Sequence, residues 1–158
     1  AAQDKPSKWE TGMPGFEIIA GIGAAMDYIA SLVPAEATRR ETLVAAMKAI
    51  KSYEMTVSER FLRGVAEIPG MRVYGNTDLE RLDERTPTFA VRKDGLSPAE
   101  LGQTLQERGV YLYVGNFYAV ETIKRLGLEE SGGVVRVGFV HYNTLDEVDR
   151  LLAMLAEI

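Results

Sequence analysis

Between Thr38 and Ile68, apolar residues recur at helical spacing: Leu43, Met47, Ile50, Val57, Phe61 and Val65. Steps of three, four and seven keep them on one face of a single long helix. Pro69-Gly70 ends it, because proline cannot continue the ladder and glycine accepts the turn. The pattern then changes period. MRVYG (71–75) and TPTFAVR (86–92) alternate as strands do, VYLYV (110–114) reads as a third strand and GVVRVGFVHY (133–142) as a fourth. A long one-faced helix and several short strands can hide their apolar sides only against each other, which restricts the chain to layered folds.

The remaining segments complete the order. Ile18, Ile22, Ala25, Met26, Ile29 and Val33 share a face of an earlier helix that Pro34 ends. Gly21 and Gly23 each cost such a helix up to about 1 kcal/mol relative to alanine, so they are expected where another backbone approaches. Residues 1–15 carry Pro6, Gly12, Pro14 and Gly15 and read as irregular, and 76–85 reads as polar loop. Ser97, Pro98 and Glu100 spell a capping box at the start of a helix that Gly109 stops. Residues 115–128 read as a loop with a short helix, and Thr144 with Glu147 caps a last helix. Leu145, Val148, Leu152, Leu155 and Ile158 are its apolar stripe. The expectation is an α+β fold: a small, mostly antiparallel sheet of about four strands covered by helices on one face, preceded by two helices.

With 158 residues, the chain is long enough for one domain with a real core. Its 46% hydrophobic and 26% charged residues place it among globular chains. No apolar run reaches the roughly 20 residues that span a bilayer, and the first dozen residues lack the apolar stretch of a signal peptide. A net charge of −5 without a basic stripe argues against nucleic acid. There is no cysteine and only one histidine, His141, which excludes disulfides, thiolate metal sites, a cysteine nucleophile and any multi-histidine metal centre. A cytoplasmic, reducing compartment fits this composition. The first residue is Ala1, which fits either loss of an initiator methionine or excision from a longer protein.

Chemistry concentrates in VVRVGFVHYNT (134–144). Arg136 stands inside an apolar strand, where a guanidinium is costly unless something anionic meets it. Alternation gives it a face shared with Val134, Gly138, Val140 and Tyr142, and Gly138 leaves room beside it. Arginine takes a carboxylate through two parallel hydrogen bonds, which suits an incoming acid. A structural ion pair with one of the chain's 23 acids, or an arginine reaching solvent, is the competing explanation. His141, on the opposite face, reads as structural. The turn-rich, aromatic stretch Gly115-Asn116-Phe117-Tyr118-Ala119 can bind a ligand or simply pack its rings. Trp9-Glu10-Thr11-Gly12 is an aromatic and polar turn that invites docking. Gly21-Ile22-Gly23 lies in a helical pattern and makes no phosphate loop, while Glu129-Glu130 reads as solvated loop.

Taken together, these stretches resemble the C-terminal part of class V aminotransferases, particularly their cysteine desulfurase-like members. KWETGMPGFEIIAG (8–21) is similar to the segment W-E-x-G-T-x-x-(F/H)-E that leads into a glycine-containing helix. Residues 51–75 resemble the long helix feeding the small domain, and RTPTFAV (85–91) its second strand. GNFYA (115–119) falls where desulfurases have a glycine-led loop bearing their cysteine. Residues 134–155 are similar to the ending R-x-(S/G)-x-x-x-Y-N-T-x-(E/D)-E-(V/I)-D, the most specific of these motifs.

The resemblance implies a pyridoxal 5′-phosphate-dependent, dimeric parent acting on an amino acid. It makes Arg136, six residues before Tyr142, the grip on the substrate carboxylate, and Gly115, Asn116, Phe117 and Tyr118 the pocket loop. It gives Thr11 and Gly12 a weak contact to the cofactor phosphate of the neighbouring subunit, with Met13 standing where relatives have threonine. It also implies that residues 1–34 end a large domain missing from this sequence, that 35–158 form the small domain, and that the cofactor-bearing lysine lies upstream. Lys5 and Lys8 do not match its motif. The fragment is therefore expected to carry no catalytic residue, no metal and no bound cofactor, and to be inactive alone. Tyr118 stands at the desulfurase cysteine position, so persulfide chemistry cannot occur on this loop. A free-standing α+β module that binds an amino acid without catalysis is the alternative. A purely structural interaction module is a third, and it requires Arg136 to pair with an internal acid.

Overall fold

The computed structural model describes residues 4–5, 7–9 and 12–158. They fall into two compact units, divided between Ile50 and Lys51.

The first unit holds a short 3-10 turn at Ser7–Trp9, where irregular chain was expected, the helix α1 (Phe16–Ala30) and the first part of α2 (Arg39–Ala66). Helix α1 contains no buried residue. The close backbone approach expected at Gly21 and Gly23 is absent: nothing among the described residues lies within 4 Å of a Cβ built at either. Among the described residues, no packing offsets their helical cost. Thr42 is buried, and its hydroxyl accepts the Glu36 N–H at 2.9 Å. On the predicted stripe of α2, Met47 is exposed, whereas Val57, Phe61 and Val65 in the second unit are fully buried.

The second unit is built on a four-stranded sheet of β1 (Met71–Tyr74), β2 (Thr88–Lys93), β3 (Tyr113–Gly115) and β4 (Val134–Gly138). The spatial order is β1-β2-β4-β3, and every neighbouring pair is antiparallel. Helix α3 (Pro98–Glu107) joins β2 to β3, α4 (Val120–Arg125) joins β3 to β4, and α5 (Leu145–Glu157) closes the chain. The α+β expectation stands, with its core on one face of the sheet. Phe89, Val91, Val135 and Val137 meet Phe61 and Val65 of α2, Leu101 and Leu105 of α3, and Val148, Leu151 and Leu155 of α5. Phe61 anchors it, with ring centres 4.4 Å from Phe89 and 5.6 Å from Phe139. Burying one such side chain contributes roughly 1.5–3 kcal/mol. Helix α3 lies close on β3 because Gly102 has no side chain: a Cβ there would stand 2.6 Å from a Val114 methyl.

Several boundaries differ from the sequence expectation. Residues 76–85 are not simply loop: Leu79–Glu84 form a kinked 3-10 turn capped by Asp78, with Leu82 buried. Strand β3 begins only at Tyr113. Strand β4 stops at Gly138 rather than Tyr142, because the Asn143 side chain accepts the Val140 N–H at 2.9 Å and turns the chain. Val140 and Tyr142 therefore do not continue the Arg136 face. His141 lies in that turn, its ring 5.2 Å from the Tyr142 ring. The capping boxes at Ser97 and Thr144 are both formed as predicted.

Candidate functional site

Along β4, Val135 and Val137 point into the core and Arg136 points to the other face, where Val134 is buried and Arg136 itself is exposed. Register brings Ala90 and Tyr113 beside it, because both pair with Arg136 across β2 and β3. Gly138 pairs with Thr88, and a Cβ on it would meet only the Thr88 hydroxyl at 3.9 Å. The space beside Arg136 that the sequence suggested is there.

Arg136 is exposed, and its guanidinium carbon lies 5.1 Å from the Tyr113 ring centre and 4.9 Å from that of Phe117. Both distances are inside the range of cation–π attraction. Among the described residues, no acid forms an ion pair with it and none of its N–H groups has a hydrogen-bond acceptor. Two neighbouring arginines are satisfied differently. Arg92 donates to the Ser131 hydroxyl at 2.9 Å and to the Gly133 carbonyl at 2.7 Å. Arg85 lies over the Phe89 ring and donates to the backbone carbonyls of Asn76, Thr86 and Thr88. Burial lowers its pKa from the usual arginine value. Arg85 and Arg92 serve the fold through carbonyl acceptors. The internal acid that a structural role for Arg136 requires is not found among the described residues.

The loop after β3 places the second ring. Gly115 closes β3 opposite Val134, and Asn116 accepts the Tyr118 N–H through its side chain at 3.1 Å. Phe117 and Tyr118 then take φ values of 52° and 62°, a conformation that costs non-glycine residues roughly 1–2 kcal/mol each. Phe117 reaches Arg136 through this turn, whereas Tyr118 projects into solvent at 99% exposure. Gly133 lets the loop close: a Cβ there would stand 2.4 Å from the Gly115 carbonyl oxygen.

Arg136, Gly115 and Phe117 are thus brought together, with Asn116 and Tyr118 on the same loop. Gly12 sits in the first unit in an open bend, with nothing within 4 Å of a Cβ position, and Thr11 lies outside the described residues, as does Glu10. Sequence reasoning did not single out Tyr113, because nothing in VYLYV marks which tyrosine faces Arg136 until the register is known. It also did not anticipate a hollow lined by Lys51, Glu54, Tyr74, Asn76, Arg85 and Thr88. Among the described residues, no group of three or more histidines or acids is placed to hold a metal, and no helix is long and apolar enough to cross a membrane.

Comparison with known proteins shows the family and the fold. The family model for class V aminotransferases matches residues 1–151. A probable cysteine desulfurase of Mycobacterium leprae is 30% identical over 148 residues, which is 94% of this chain and 31% of that protein. The solved cysteine desulfurase of Thermococcus onnurineus NA1 superposes with a TM-score of 0.79 at 22% identity, over 99% of this chain and 34% of the other. The Escherichia coli cysteine desulfurase CsdA gives 0.75 at 22% identity, over 99% and 33%. At that identity these two structures speak for the fold. The chain spans about a third of the length of these relatives. With nearly its whole length matched by the family model, the chain belongs to the class V aminotransferase family and is similar to its cysteine desulfurase-like members.

Proposed function

We propose that this chain is the C-terminal segment of a pyridoxal 5′-phosphate-dependent enzyme acting on an amino acid, and that Arg136 grips the substrate's α-carboxylate. One observation carries the assignment: Arg136 is exposed beside an open glycine position, with its N–H donors unused among the described residues. A guanidinium fork of this kind suits a carboxylate. Gly115, Asn116, Phe117 and Tyr118 form the pocket wall, and residues 1–34 pack on a large domain that supplies the lysine, with 35–158 as the small domain. Coverage of about a third of the relatives supports a segment over a free-standing amino-acid-binding module.

The described residues do not make a cofactor cradle by themselves. Lys8 lies over the Trp9 ring, Lys5 is exposed, and Met13, 87% exposed, offers a phosphate only a weak thioether. No chemical step is therefore assigned to this chain, whose part is binding and orientation. Thr11 and Gly12 are proposed to touch the cofactor phosphate of a neighbouring subunit through backbone donors, in a cytoplasmic homodimer.

The test uses the full-length protein that carries this sequence. Arg136→Ala should leave cofactor absorbance intact and weaken amino-acid binding, read from the substrate-dependent spectral change, by about 10- to 100-fold, the worth of hydrogen bonds between charged groups. Arg136→Lys keeps the charge without the fork and should recover only part of the loss. Unchanged amino-acid affinity in Arg136→Ala would refute the assignment.

A further inference from the structure

The two rings that flank Arg136 do something a carboxylate partner could not. An aromatic face attracts a cation through its quadrupole, but it neither neutralises the charge nor engages the N–H edge as an acid would. Tyr113 remains 69% exposed, so its ring is not committed to the core, and register alone sets it beside Arg136. Phe117 reaches the same guanidinium through two consecutive residues of positive φ. Long side chains lose rotamer freedom when they bind, and one already held loses less.

We propose that Tyr113 and Phe117 are positioning residues for Arg136. Resting on the carboxylate reading above, the inference is that the pair of rings holds the guanidinium with its donors turned outward, ready for an organic monocarboxylate. The positioning acts on binding, through Arg136, and neither ring is assigned contact with reacting atoms.

The full-length protein that carries this sequence, with its arginines isotopically labelled, tests this by NMR of the Arg136 Nε–H group with propionate as the probe. In the unmodified chain this proton should be displaced upfield by the rings and should move saturably on titration. Tyr113→Leu and Phe117→Leu should each reduce the upfield displacement and weaken propionate binding about two- to fivefold, the worth of one exposed cation–π contact. Tyr113→Phe retains a ring and should restore the original affinity, which a role for the hydroxyl would not allow. Because Tyr113 is exposed, its variants should keep the amide spectrum of the remaining sheet. Unchanged affinity in both leucine variants, or no upfield displacement in the unmodified chain, overturns the positioning role while leaving Arg136 as the clamp. An Arg136 resonance that propionate never moves overturns the clamp itself, and the positioning role with it.

Discussion

Tyr118 combines a φ of 62° with a side chain almost wholly in water, so among the described residues its strained backbone is held by the Asn116 side chain at its N–H and by no packing of its ring. Phe117 differs, because its contact with Arg136 offsets part of the same cost. Asparagine tolerates the left-handed region better than tyrosine. Tyr118→Asn should therefore stabilise the chain by ~0.5–1 kcal/mol, read as a higher urea midpoint. A lower midpoint would show that the tyrosine ring contributes more than its exposure suggests. Residue-scale legibility was uneven. Arg136 was visible because a charge inside an apolar strand is conspicuous. Gly133 was not, because its need for a missing side chain comes from the Gly115 carbonyl across the sheet.

Helices α3 and α5 show how much an element owes to its first turn. In α5 the Thr144 hydroxyl accepts the Glu147 N–H at 3.2 Å, and Glu147 accepts the Thr144 N–H at 2.8 Å. Thr144→Ala should cost about 1 kcal/mol, measured by urea unfolding at neutral pH. The Thr144 N–H foremost, then the Asn143 amide, holds the Glu147 carboxyl below the usual carboxylate range. The Ser97 hydroxyl, then its backbone N–H, does the same for Glu100. A depressed carboxyl contributes stability above its unfolded pKa of about 4.3 and loses it as pH falls through the lower folded value. Stability should therefore drop with acid below about pH 4.3, and Glu147→Gln should flatten that slope. A slope unchanged in this variant would remove the cap from the explanation. Both caps were legible because Ser/Thr-x-x-Glu is a contact between near neighbours. The 3-10 turn at Leu79–Glu84 was not: it is short and kinked, and only Leu82 within it is buried.

At the scale of the whole molecule, α1 presents Phe16, Ile18, Ile19 and Ile22 to solvent. An apolar face of this kind drives association. The isolated chain should self-associate as concentration rises, and Ile18→Glu with Ile22→Glu should weaken that association tenfold or more, about 1.4 kcal/mol, by sedimentation velocity. Equal sedimentation of the two proteins at every concentration would clear α1 of this role. The same helix marks a limit of sequence reading, since Gly21 and Gly23 suggested a neighbouring backbone that the described residues do not supply. By itself the sequence determined the order of the main helices and strands, the capped starts of α3 and α5, the α+β class and the prominence of Arg136, although α1 stops at Ala30 rather than at Pro34. Caps, breakers and periodicity act over a few residues, and a charge in an apolar run is visible without a partner. Only the tertiary structure decided that β4 lies between β2 and β3, that Arg136 faces away from the core without an acid among the described residues, and that Tyr113 and Phe117 flank it. Those facts depend on strand register and on a loop folded back over the sheet, which join residues far apart in the chain and leave no local signature.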